Sequence, residues 1–198
     1  MKFDMTDPAL VGLYSDTGDR GPAIELVTGE RLHILNPERD VIEPTTIAHA
    51  LSQLCRFTGH TRTFYSVAQH CVMVSRIVPE DLAMEGLLHD ASEAFVGDLS
   101  RPLKAVINAM APGLFVGIED GIHAAIAEVF GTGFPHDPAI KEADNIALAT
   151  EKRDLMFNTG ETWHNLPEPL SERIHALEPI YAYEVWLDRF AEIGGTIG

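Results

Sequence analysis

Cysteine is nearly missing from this chain. Cys55 and Cys71 are its whole complement, too few for a disulfide framework, and both fall in segments that read as helical. Two buried thiols in a reducing compartment are the expectation. Positive charge is scarce too: 14 Lys and Arg face 30 Asp and Glu, a formal net charge of −16. Binding to a nucleic-acid polymer draws on many Lys and Arg contacts to phosphate, so no such partner is expected. A small phosphorylated ligand needs only a few local cations, and the acidity also reads as simple solubility. No apolar run approaches the roughly 18 residues of a membrane-crossing helix, and the opening residues Met1 to Pro8 carry no hydrophobic signal core. No membrane partner and a cytoplasmic location are therefore expected. Neither a phosphate-cradling Gly-rich loop nor a G-x-S-x-G elbow occurs, which removes the P-loop and serine-hydrolase classes.

What is present suits a folded domain. Apolar residues make up 45% and charged residues 22% of 198 positions, ordinary globular usage with enough chain for one core. A single domain over 1–198 is expected: a lead with a small β-hairpin over 1–44, a helical core over 45–158, and a loop with a closing helix over 159–198. Residues 1–22 read as irregular. Ala23 to Leu35 has two apolar segments flanking Thr28-Gly29, the pattern of a hairpin serving as a peripheral lid or dimer arm. From Thr45 and Thr46, which offer an N-cap ahead of Ile47, Leu51 and Leu54, the chain reads helical. The fold class expected is all-α.

The helices carry their charges in unusual places. About Phe64 to Val78, the stripe Val67, Cys71, Val74, Val78 marks one buried face, and His70 lies on it. A third helix from Glu80 to about Phe95 has Met84, Leu87, Leu88 and Ala91 inward, yet contains His89, Asp90 and Glu93, and breaks at Gly97 before Asp98. Further helices are expected over Leu99 to Met110, over Gly113 to Phe130 (Leu114, Ile118, Ile122, Ile126 and Val129 inward), and from Asp137 through Leu155. Asp144 lies between the inward Ile140 and Ala147 of the last of these. Residues 158–179 read as a long loop and Tyr181 to Phe190 as a closing helix. Burying a charge costs several kcal/mol unless it is paired, protonated or bound to a metal. Two imidazoles and two carboxylates converging from three helices would make a mixed nitrogen and oxygen site for one divalent ion such as Mn, Co, Fe, Ni or Zn. Taken singly, His70 also reads as a hydrogen-bonded core histidine, and Asp144 as a contribution to its helix dipole.

The order H70, then H89-D90-A-S-E93-A-F-V-G-D98-L-S-R-P-L-K104, then K-E-A-D144-N-I-A-L-A-T-E resembles the HD-domain phosphohydrolases. It is most similar to their 5′-deoxynucleotidase branch and to related phage deoxynucleoside triphosphate hydrolases, over about Ala48 to Met156. The resemblance implies an HD-domain helical bundle in which His70, His89, Asp90 and Asp144 bind the metal. It implies Glu93 and Asp98 as the two acids near the attacking water and the leaving group. Glu93 follows His89 by one helical turn and so faces the same cleft. For the phosphate it implies Arg56 and Lys104, with Arg62 and Arg101 as weaker candidates that read equally as surface charges. Phe57 stands where the deoxynucleotidase branch carries a Trp that crowds the sugar 2′ position, so selection for deoxyribose does not carry over with it. His60 falls in the intervening loop; His49 reads as exposed, and His33, His123, His136, His164 and His175 show no ligand spacing.

The expected activity is metal-dependent hydrolysis of the 5′-phosphate of a nucleoside monophosphate, a deoxynucleoside among the candidates. The alternatives are triphosphate release from a dNTP, cleavage of a cyclic or alarmone nucleotide, and a non-catalytic module that binds metal or nucleotide. The partner is a small-molecule nucleotide, with the hairpin and last helix offering surfaces for a homodimer.

Overall fold

The structure, a computed structural model, describes residues 21–160, 163 and 165–197. The irregular lead expected over 1–22 lies outside the described residues except for its last two. Strands β1 (Ala23–Glu25) and β2 (Arg31–His33) pair antiparallel, Ile24 opposite Leu32. The turn between them reverses at Gly29, whose φ of 84° lies in the left-handed region that glycine enters without a Cβ clash. The hairpin is not the peripheral arm that its position suggested. Leu32 is fully buried and Leu26 nearly so, both in the cluster that holds Ile47 and Leu51. Two three-residue strands are marginal by themselves, so packing under the helices is what keeps them folded.

Helix α1 (Pro44–Gln53) starts two or three residues earlier than the threonines implied: Pro44 takes the first helical position behind Glu43, and Thr45 and Thr46 lie inside. Cys55 falls beyond its end, in a bridge to Ser66, rather than in a helix. Helix α2 (Val67–Ile77) starts at Ser66, whose hydroxyl accepts the Gln69 N–H at 3.1 Å. Its stripe of Val67, Cys71, Val74 and Val78 is buried as the spacing predicts. The single helix expected over 80–95 is instead a 3-10 turn (Glu80–Leu82), α3 (Ala83–Leu88), a tight turn, and α4 (Glu93–Val96). Gly86 lets α3 approach α2 closely, since a Cβ there would sit 3.0 Å from Val78 Cγ2 and 3.1 Å from the Ser75 Cα.

Helices α5 (Arg101–Met110) and α6 (Leu114–Phe130) follow, then α7 (Pro138–Leu155), capped by Asp137, and α8 (Pro179–Glu192). On α6 the buried face is Ile122, Ala125 and Ile126, whereas Leu114 and Val129, expected inward, are exposed. Helices α1, α2 and α8 enclose the main core around Trp186 stacked on Phe190. A second cluster joins Val74 and Val78 of α2 to Ile140, Ala143 and Ala147 of α7. The segment between α7 and α8 contains no helix among the described residues, but Asp154 ties it down by accepting from Arg173 at 2.6 Å and from the Ile174 N–H at 2.9 Å. Among the described residues no single helix is long and apolar enough to cross a membrane.

The hairpin's place in the core has a measurable consequence. Leu32→Ala should destabilise the protein by about 2–5 kcal/mol, as for a buried leucine, read from the urea midpoint at constant slope. A loss below about 0.5 kcal/mol, usual for surface substitutions, would return the hairpin to the periphery.

Candidate metal centre

Helix α2 supplies His70, the turn after α3 supplies His89 and Asp90, and α7 supplies Asp144. His70 Nε2 lies 3.3 Å from His89 Nε2 and 3.3 Å from Asp144 Oδ1. Ligand atoms of these three residues all lie within 4.8 Å of one another. Asp90 Oδ2 lies 3.5 Å from His70 Nε2 and 3.3 Å from His89 Nε2, so it meets both imidazoles; it also shares a second such group with His89 and Cys71. Bonds of about 2.0–2.2 Å to one ion put neighbouring donors about 3.0–3.5 Å apart. His70, His89 and Asp144 therefore fit a metal ion in separation as well as in donor type, and Asp90 meets both imidazoles at similar distances. Both imidazoles are also turned for it: His70 Nδ1 is 2.7 Å from Glu151 Oε1, and His89 Nδ1 is 2.8 Å from the Gly86 carbonyl. These Nδ1 contacts turn each Nε2 toward the centre.

The break in the expected helix follows from these contacts. In a continued α-helix the Gly86 carbonyl would accept from the Asp90 N–H. His89 Nδ1 takes that carbonyl, and the Asp90 N–H turns to Cys71 on α2. The backbone then tightens to three-residue bonds, Ala91 N–H to Leu88 O at 2.9 Å and Glu93 N–H to Asp90 O at 3.0 Å. That turn brings two adjacent side chains to one point.

Glu151 escaped the sequence reading. It is fully buried, with one carboxylate oxygen on His70 Nδ1 and the other accepting from Arg56 Nη2 at 2.9 Å. Seven residues separate it from Asp144, two turns of α7, so the same helix face holds both ends of the His70 ring. That spacing was the signal available. Burial and the Arg56 charge push the His70 pKa down, but Glu151 and Asp144 outweigh them and hold it up at about 9. Burial likewise opposes the ionised forms of Asp90 and Asp144, yet His89, His70 and Arg56 keep Asp90 well below the usual carboxylate range, and the His70 bond does so for Asp144. Arg56, also 3.5 Å from Asp90, is thus a partly buried cation between two acids.

Glu93 behaves oppositely. Only 5% exposed, it is pushed up to about 10 by burial and by the Asp90 and Asp98 charges. Its Oε2 has no hydrogen-bond partner, while Oε1 lies 3.7 Å from Lys104 Nζ, which is itself 2.8 Å from Glu119. Gly97, at φ 81°, ends α4, and Asp98 beyond it is also raised by burial.

A cavity of about 860 Å³ joins these groups. Arg56, Phe57, Asp90, Glu93, Asp98, Lys104 and Asp144 line it, as do Arg101 and His60. Arg62 does not. Its N–H donates to the Leu155 carbonyl at 2.9 Å and its guanidinium to that of Asp154, so the end of α7 holds it in a separate cavity with His175. Phe57 and Thr58 both adopt left-handed backbone conformations, φ 55°, a cost of about 1–3 kcal/mol each that tends to concentrate at binding sites. His123 accompanies the site from behind: it pairs with Ser92 at 2.9 Å, and burial together with His136 pushes it down to about 3.

With the geometry in hand, two proteins prove similar along most of the chain. The uncharacterized protein YfdR of Escherichia coli (strain K12) is 36% identical over 173 residues, 86% of this chain and 94% of YfdR. The chain belongs to the YfdR family. An uncharacterized protein of Rhodobacter capsulatus is 32% identical over 143 residues, 66% of this chain and 71% of that protein. No family model matches the chain.

Two outcomes follow for the purified protein. Removing His89 or Asp90 should abolish metal uptake measured by elemental analysis, whereas Glu151→Ala should keep the fold and weaken metal affinity about 10–100-fold; full stoichiometry in the first pair would sink the ligand assignment. The second outcome concerns pH. Folded Glu93 holds its proton to about 10 while an unfolded Glu releases it near 4.5, so this group's contribution to stability is fully present below 4.5 and is lost as pH rises toward 10. In chelator-treated protein at pH 8, Glu93→Gln should raise Tm by at least about 2–4 °C, the shift 1 kcal/mol gives a chain of this size. An unchanged Tm would show that Glu93 is not so destabilised.

Proposed function

We propose that the chain is a metal-dependent phosphohydrolase of the HD-domain type, releasing phosphate from a nucleoside 5′-monophosphate. One observation carries the reading: a buried carboxyl with an unpartnered oxygen, Glu93, shares a single cavity with Asp90 and Asp144, the two acids that meet the His70 and His89 imidazoles, and with Arg56 and Lys104. A divalent ion in that donor set would supply Lewis-acid charge to the phosphoryl oxygens and acidify water. Arg56 and Lys104 answer the remaining phosphate charge and fix its orientation. Glu93 exchanges a proton with the attacking water through Oε2, the oxygen left without a partner. A cation nearby favours its ionised form, so its resting affinity for the proton falls into the working range of a base. Asp98, raised by burial, gives a proton to the departing 5′ oxygen. Both cysteines are free, in keeping with a cytoplasmic setting.

Arg101 and Lys141 also line the cavity and favour, as a second reading, a longer polyphosphate and triphosphate release from a dNTP. The decisive measurement is product analysis after reloading with Mn or Co, using a panel of nucleoside mono- and triphosphates. Inorganic phosphate from the monophosphates is expected, with tripolyphosphate marking the second reading. Glu93→Gln should lower kcat about 100-fold or more at unchanged metal content. Nucleotide binding without turnover would leave a binding module instead of an enzyme.

A further inference from the structure

The two ends of the cavity differ in chemistry. Asp90, Glu93, Lys104 and Asp144 make one end charged, while Phe57, Leu148, Met156, Trp163 and Leu166 line it with apolar surface. Helix α7 runs from one to the other: Leu148 lies one turn past Asp144, about 6 Å along the axis, and Met156 caps the helix. At the apolar end the Phe57 and Trp163 rings lie 6.0 Å apart, centroid to centroid, with planes inclined at 48°. The pair is tilted, neither stacked face to face nor set edge to face.

The chain's two tryptophans serve differently. Trp186 is fully buried and stacks on Phe190 at 5.6 Å and 10°. Trp163 is 38% exposed and has Lys152 Nζ over its ring at 4.7 Å. An indole that lines a polar cavity while half of the chain's tryptophan complement secures the core is a large apolar surface still facing solvent. Phe57 meets it from a backbone conformation that bulky residues avoid, and its neighbour Thr58 shares both that conformation and the cavity. Strain of this kind concentrates at active sites, ligand clamps and switch regions.

We infer that Phe57 and Trp163 form a stacking slot for an aromatic nucleobase, so that the substrate is selected by its base as well as by its phosphate. This rests on the phosphohydrolase reading for its kinetics but not for its binding measurement. Planar bases stack on aromatic side chains without regard to sequence-specific hydrogen bonds, so the slot distinguishes nucleotides from sugar phosphates more sharply than one base from another. The metal donors would hold the phosphate end and the slot the base end, with the sugar between them.

The test uses the metal-loaded full chain, a nucleoside 5′-monophosphate, its nucleoside, and ribose 5-phosphate. Indole emission should change with the nucleotide and the nucleoside and stay constant with ribose 5-phosphate. Trp163→Phe should lose that signal, since Trp186 is buried, while keeping KM within about threefold, because phenylalanine still stacks. Trp163→Ala should raise KM for the nucleotide about tenfold with kcat little changed, and leave kcat/KM for ribose 5-phosphate as in the wild type. Wild-type KM for the nucleotide in Trp163→Ala would overturn the slot and leave the hydrolase standing. The same emission change with ribose 5-phosphate would also overturn it. An emission change with nucleoside in a protein that releases phosphate from nothing would support the slot and sink the hydrolase.

Discussion

Two imidazole nitrogens 3.3 Å apart, both facing the same point and with carboxylates against them, need a positive charge in the space they share. Much of the molecule serves that requirement. Glu151 and the Gly86 carbonyl orient the rings from behind, and α2, α3 and α7 are packed so that three distant segments meet there. Gly86 contributes twice, by its missing side chain, which brings α3 against α2, and by its carbonyl, which holds His89. A residue that reads as a mere helix weakener is therefore at the foundation of the site.

The electrostatics divide the acids into two kinds. Asp90, Asp144 and Glu151 sit against imidazoles or Arg56 and stay ionised, while Glu93, surrounded by burial and by other carboxylates, keeps its proton. Such a separation of like groups by environment is how one small cavity comes to hold both ligands and proton carriers. The same cavity gathers Arg56, Arg101, Lys104 and Lys141 in a chain whose net charge is −16. Arg56, Lys104 and Lys141 are each paired there with a carboxylate.

The helical stripes were legible because periodicity records which face is dry, and His70 and Asp144 stood out as polar residues on such faces. The break after Leu88 was not. It depends on a side chain taking a backbone carbonyl and on an amide crossing to Cys71, and neither leaves a trace in hydrophobic spacing. Glu151 was hidden by its own chemistry, since a glutamate near the end of a helix reads as solvated until its two partners are known. Arg62 shows the converse: it was a weaker candidate for the phosphate, and its bonds to the backbone at the end of α7 hold it in a separate cavity. The hairpin misled because strands of three residues are too short for alternation to announce which side is covered.

Helix α5 carries Arg101 and Lys104 into the cavity without burying a single one of its residues. Lys104 is tied to α6 through Glu119, and a partly exposed ion pair of that sort contributes no more than about 1 kcal/mol. An element so lightly fastened opens at a smaller free-energy cost than the core beneath it. An anion that draws Lys104 away from Glu119 thus exchanges one tether for another. Ligand affinity and the local order of this helix become two readings of a single equilibrium, linked by mass action.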